Sequence, residues 1–155
     1  MVNDKVYIHY GSNKFSNDVW EPIRNENWIK PHGGLWASAI DTPYGWKDWN
    51  ETSDYMKCEE QNSFKFKLKP EARIFVIDSE KALERLIPNK TYSMNGYVHG
   101  IGSARQYYLN FETLSRRYDA IDFQLSKDHE LYWLMYGWDC DSILVMNKDV
   151  IEEVV

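Results

Sequence analysis

Apolar and polar positions alternate most clearly at residues 64–68. There Phe64, Phe66 and Leu68 point one way, and Lys65, Lys67 and Lys69 form a solvated opposite face. Val6, Ile8 and Tyr10 alternate with Tyr7 and His9, which predicts a first strand closed by Gly11-Ser12. Residues 35–38 read as a short second strand. Residues 72–77, apolar apart from Arg73, follow Pro70-Glu71 with the pattern of a central strand covered on both faces. Residues 120–125 and 142–147 complete a set of six strands.

Helices are expected between them. Residues 16–23 suit a short one, with Ser16 as N-cap and Pro22 limiting its length. Residues 45–56 distribute Trp46, Trp49 and Tyr55 around a second. Asp78-Ser79 caps a third that runs to Leu86 and is ended by Pro88 and Asn89. A fourth covers 109–118. A fifth, capped by Ser126 and Asp128, runs to Tyr136 with Gly137 as its C′ residue. Residues 89–106 carry three glycines and no clear period, so they read as a long surface loop, a kind of segment that often has a function. Residues 149–155 read as a short tail. Strands and helices in this irregular order imply an α+β fold, and 155 residues suit a single domain spanning 1–155.

Composition narrows the partners. Apolar residues make up 43% and charged residues 27%, ordinary for a soluble globular chain, but the 15% aromatic share is high, with seven Trp and eleven Tyr. Such rings suit stacking sites and interfaces as well as cores. A net charge of −6 with no long basic run argues against a tightly held nucleic acid. Cys58 and Cys140 lack metal-ligand spacing and are expected as reduced thiols, and the four scattered histidines give a metal site no support. The sequence MVNDKVYIHY lacks the pattern of a signal peptide and no apolar run reaches a membrane span, so the expected location is the cytoplasm.

Candidate chemistry concentrates in Lys30-Pro31-His32-Gly33-Gly34-Leu35-Trp36-Ala37-Ser38 and the following Tyr44-Gly45-Trp46-Lys47-Asp48-Trp49. Adjacent glycines permit positive φ or close approach, and rings at 44, 46 and 49 suit one wall of a slot for a flat ligand. His99-Gly100-Ile101-Gly102-Ser103, with Arg105 nearby, offers backbone amides of the kind that cradle phosphate, although most glycine-containing loops are only loops. No nucleophile elbow, P-loop or Rossmann glycine pattern is present.

Three segments together resemble the ADP-ribosyltransferase superfamily, the fold of poly-ADP-ribose polymerases and diphtheria-type toxins. They are His9-Tyr10-Gly11-Ser12, then Gly34-Leu35-Trp36-Ala37-Ser38 with its downstream aromatics, then Tyr118-Asp119-Ala120-Ile121 leading to Asp141-Ser142-Ile143-Leu144-Val145-Met146-Asn147. The family's first strand ends in His-Gly-Ser or His-Gly-Thr, its second begins Gly-Leu-Tyr, and a late strand opening with Glu follows a Tyr-Asp-Gly-Ile strand. The resemblance implies a split β-sheet core and NAD as substrate, with mono-ADP-ribosyl transfer or NAD glycohydrolysis as the reaction. It places Gly11 at the nicotinamide carboxamide, His9, or Tyr10 in its stead, as a donor to a ribose hydroxyl of the adenosine half, and Ser12 and Gly34 beside the slot. Trp36 and Ser38 would belong to the second strand, and Tyr44 or Trp46 would stack on nicotinamide.

The chain departs from that pattern at two points. Tyr10 precedes Gly11 where the family has His, and His9 lies one residue earlier, on the opposite face of a regular strand. Ser142 stands where the family has its catalytic Glu, so the adjacent Asp141 is the expected catalytic carboxylate. As residues of a loop around Cys140, Asp139 and Asp141 would otherwise be ordinary exposed carboxylates. Three readings stay open: an NAD-using enzyme, a catalytically silent nucleotide or ADP-ribose binder, and an aromatic-rich protein-interaction domain. The missing Glu separates the first from the others.

Overall fold

A computed structural model describes residues 4–26, 29–100 and 105–154 of the chain. Among these residues nine strands and four helices form one small α+β unit. The strands are β1 (Tyr7–Tyr10), β2 (Leu35–Ala39), β3 (Ser63–Leu68), β4 (Ile74–Ile77), β5 (Gly96–His99), β6 (Gln106–Leu109), β7 (Ala120–Phe123), β8 (Ser142–Val145) and β9 (Ile151–Val154). The helices are α1 (Trp46–Ser53), α2 (Glu80–Leu86), α3 (Phe111–Leu114) and α4 (Leu131–Leu134).

Seven strands pair in the order β4-β7-β8-β2-β1-β3-β9, and β5-β6 form a separate hairpin. Every pairing is antiparallel except β4 with β7. The sheet separates two apolar clusters by simple alternation: on β8, Leu144 joins one cluster while Ile143 and Val145 join the other. On β3, Phe64, Phe66 and Leu68 are buried as the period-two pattern predicts, and Tyr7 stacks on Phe66 at 5.5 Å.

Several expectations need correction. The apolar run at 72–77 is an edge strand, not a central one, because β4 pairs only with β7. Its faces are partly covered, Phe75 by Tyr118 and the Arg85 guanidinium, and Ile74 by the other cluster. Residues 16–23 form no helix beyond one 3-10 turn, Asn17–Val19, and the Ser16 side chain caps nothing. Backbone pairing wins there: Arg24 and His32 exchange hydrogen bonds of 3.0 and 2.9 Å, and Gly34 N–H donates to the Glu21 carbonyl. The supposed loop at 89–106 contains β5 and the start of β6. The tail contains β9, which sets Glu152 opposite Lys67 on the lysine-bearing strand.

The helices expected at 109–118 and 126–136 shrink to α3 and α4. Leu109 belongs to β6, and Asn110 caps α3 through Thr113 N–H. Ser79 caps α2 as its sequence position predicts. Both cysteines are free thiols.

Candidate functional site

Beside β8, β2 and β1, which are neighbours in the sheet, a cavity of about 300 Å³ opens. It is lined by His9, Tyr10, Lys30, Trp36, Ala37, Trp46, Tyr55, Met56, Trp138, Asp139, Cys140 and Ser142. Its apolar walls are three tryptophans. Trp36, on β2, meets Trp138 edge-on at 4.7 Å, and Trp138 is fixed by stacking against Phe111 at 6.0 Å. Trp46 opens α1 and is braced by Trp49, stacked at 5.1 Å, and by Tyr55 at 6.1 Å. These rings hold their geometry through protein contacts alone, which is the preorganisation a flat ligand needs.

His9 reaches the cavity although β1 is regular. Its Nδ1 lies 2.6 Å from the Trp36 carbonyl and its ring packs on Phe64 at 5.2 Å. Nδ1–H therefore donates to the carbonyl, leaving Nε2 as an acceptor. Burial holds His9 below the usual histidine range, opposed by the Trp36 hydrogen bond. Burial also holds Lys30 below the usual lysine range, against the attraction of Asp139. The Cys140 thiol is pushed up to about 12, chiefly by burial, and is protonated at neutral pH.

The predicted residues divide into two groups. His9, Tyr10, Trp36 and Trp46 come together in the cavity wall. Gly11, Ser12, Gly34, Ser38, Tyr44 and Asp141 do not line it. The Gly11 N–H donates to the Asn62 carbonyl at 2.9 Å, so it is not a donor for a carboxamide, and Ser12 Oγ turns back to the Lys14 carbonyl at 2.7 Å. Gly34, at φ 72, is a packing glycine: a Cβ there would lie 2.8 Å from Leu144 Cδ1 and 2.8 Å from the Val145 carbonyl oxygen.

Ser38 is buried at the junction of β2, α1 and the 141 loop. Its Oγ donates to the Asp141 carbonyl at 2.7 Å and accepts from Trp46 N–H at 2.9 Å, which seats the first residue of α1. The Tyr44 carbonyl accepts from Asp141 N–H. Asp141 is only 4% exposed, so it is not the surface carboxylate a loop would imply. Its two oxygens accept from Thr42 Oγ1 and Ser126 N–H, both at 2.8 Å. It ties three loops together on the far side of the cavity wall, and the carboxylate that lines the cavity is Asp139.

Lys30, Trp138, Asp139 and Ser142 were not assigned to the site from sequence. Lys30 heads the Lys30–Ser38 stretch, and Trp138 follows Gly137 at φ 99, a position whose reversal sends the chain back to β8. A second groove of about 420 Å³ adjoins the cavity, with Tyr10 and Trp46 lining both. It carries Lys47 and Lys65 together with Asp48 and Glu60, and Ser38 at its floor.

The phosphate-cradle expectation falls partly on Ile101, Gly102 and Ser103, which lie outside the described residues; Arg105 pairs with Glu80 at 2.7 Å. No group of three His, Cys, Asp or Glu side chains among the described residues is arranged to hold a metal ion. No helix among them is long and apolar enough to cross a membrane. Tyr92, Trp133 and Tyr136 are exposed, away from the cavity lining. No family model, curated protein or solved structure matches this chain.

Proposed function

We propose that this chain is an ADP-ribosyltransferase-like domain that binds NAD, with the nicotinamide end in the tryptophan-walled cavity. One observation carries the reading: Trp36, Trp46, Trp138 and His9 converge on one cavity where β1, β2 and β8 meet. The four strands bearing the quoted motifs are also consecutive neighbours, β7-β8-β2-β1. The adjoining groove, reached past Tyr10 and Trp46, gives the diphosphate and second nucleoside a path along Lys47 and Lys65.

Hydrolysis at this site breaks the bond between ribose C1′ and the nicotinamide nitrogen. The electron pair leaves with nicotinamide, which becomes neutral. The resulting oxocarbenium-like ribose is captured by a nucleophile such as water, which loses a proton. A carboxylate beside the ribose stabilises that developing cation. In this reading Asp139, which lines the cavity, takes this role, since both oxygens of Asp141 are engaged elsewhere.

A second reading, a binder of NAD or ADP-ribose without turnover, is favoured by the same sequestration of Asp141 and by the absence of Glu at 142. Calorimetry with NAD and ADP-ribose, together with single-turnover nicotinamide release, separates the two. Release that is lost in Asp139→Asn at saturating NAD, with binding weakened but still measurable, supports the enzyme, and wild-type binding without release supports the silent module. If neither nucleotide binds, the reading is wrong.

A further inference from the structure

The cavity already contains a cation that its walls attract. Lys30 Nζ lies 5.4 Å from the ring centroid of Trp36 and 6.0 Å from that of Trp46, both within cation–π range. The two rings line one cavity and Lys30 lines it with them, so the ammonium and a bound ligand would compete for the same π-faces. Neighbouring rings brace the cage. Trp36 is held by Trp138 and Trp46 by Trp49 and Tyr55, whereas Lys30 carries its charge on a flexible four-carbon stem. Asp139, in the same wall, adds the negative charge that a bound cation needs as a counter-ion.

We infer that Trp36, Trp46 and Asp139 form a site for a flat organic cation of the pyridinium class, and that the Lys30 ammonium is its built-in competitor. The identity of the cation rests on the NAD reading, since the nicotinamide ring of NAD is a pyridinium; the cage itself does not. A neutral ring gains only stacking from the two tryptophan faces, whereas a cationic ring gains the cation–π attraction as well. A ligand that brings a cationic ring must first displace Lys30, and so realises only part of the attraction.

Three proteins test this: the wild type, Lys30→Met, which keeps the bulk of the stem and removes the charge, and Lys30→Arg, which keeps a competing cation. The probes are NAD, its reduced form with a neutral ring, ADP-ribose with no ring, and the free cation 1-methylnicotinamide beside neutral nicotinamide. The expected result is that Lys30→Met binds NAD and 1-methylnicotinamide about tenfold more tightly, while the reduced dinucleotide gains clearly less and ADP-ribose is unchanged. Lys30→Arg should stay near wild type, and wild-type protein should prefer 1-methylnicotinamide to nicotinamide. Should Lys30→Met weaken NAD and ADP-ribose alike, Lys30 is a phosphate contact and the inference is overturned. Unchanged NAD and 1-methylnicotinamide affinities overturn it as well. If only the free cation gains affinity and neither dinucleotide nor ADP-ribose binds, the cage stands and the NAD reading falls. Should Lys30→Met unfold, the wild-type preference between the cation and neutral nicotinamide decides, and no preference overturns the inference.

Discussion

The imidazole Nδ1 of His9 lies 2.6 Å from the carbonyl oxygen of Trp36, so the first strand holds the second through a side chain at the mouth of the tryptophan-walled cavity. This bond decides the tautomer and with it the chemistry, since Nε2 is left as an acceptor for a donor such as a ribose hydroxyl.

His9 should make stability pH-dependent. Its folded value is depressed by burial, against the hydrogen bond to Trp36, so the unfolded chain takes up a proton on His9 before the folded one does. The contribution is complete above about pH 6.5, the unfolded histidine value, and falls as pH drops through the folded value. Urea unfolding of wild type and His9→Gln between pH 7.5 and 5 should show a decline in the wild type that is shallower in the variant. Parallel curves would show that His9 is not held neutral.

Asp119 acts at lower pH with the opposite chemistry. Burial raises its value, but the hydrogen bonds from Arg73 and Asn147 outweigh that and hold the carboxyl below the usual range. Its contribution is therefore present above about pH 4, the ordinary unfolded value, and is lost as pH falls through the folded one. Asp119→Asn should flatten the acid limb of the unfolding curve below pH 4 and leave the His9 region unaltered. An acid limb identical to wild type would contradict this.

Gly34→Val should cost about 3 kcal/mol of stability, from strain at φ 72 and from a Cβ driven against Leu144, Val145 and Ile23. Because Gly34 does not line the cavity, the folded fraction should keep wild-type NAD affinity. Chemical denaturation and calorimetry check the two halves separately. Lost affinity in fully folded protein would return Gly34 to the slot.

The two aspartates flanking Cys140 should separate stability from function. Asp141→Asn leaves a donor where Ser126 N–H or Thr42 Oγ1 needs an acceptor, and should cost about 2 kcal/mol with affinity retained. Asp139→Asn should leave melting near wild type and abolish any nicotinamide release. Equal turnover in wild type and Asp139→Asn would remove Asp139 from the chemistry.

How far the sequence carried depended on whether a residue's partners lay close along the chain. Phe64, Phe66 and Leu68 announced β3 because a half-buried strand needs only its own alternation. The Ser79 cap of α2 was visible for the same local reason. By contrast, β9 exists because β3 offers an edge, and nothing within 149–155 records that edge. Residues 72–77 looked central because Ile74–Ile77 is apolar throughout, and hydropathy is silent on whether a hydrogen-bonding edge stays open.

The site follows the same rule. His9, Tyr10, Trp36 and Trp46 were legible from ring chemistry and strand ends. Asp141 was favoured over Asp139 by counting back from Asn147, whereas Thr42 and Ser126, distant in sequence, occupy the Asp141 oxygens and Asp139 is the one that lines the cavity. Lys30 was quoted within the stretch but gained a role only when folding placed it beside Trp36 and Trp46.

Calorimetric titration of NAD into wild-type protein and Trp46→Ala tests the central claim most directly. Trp46 lines both the cavity and the adjoining groove, and its ring is already ordered by Trp49 and Tyr55. The account predicts saturable one-to-one binding of NAD to the wild type and a loss of about tenfold or more in Trp46→Ala, the worth of one aromatic stack. Binding of equal strength in the two proteins, or no binding to the wild type, would contradict it.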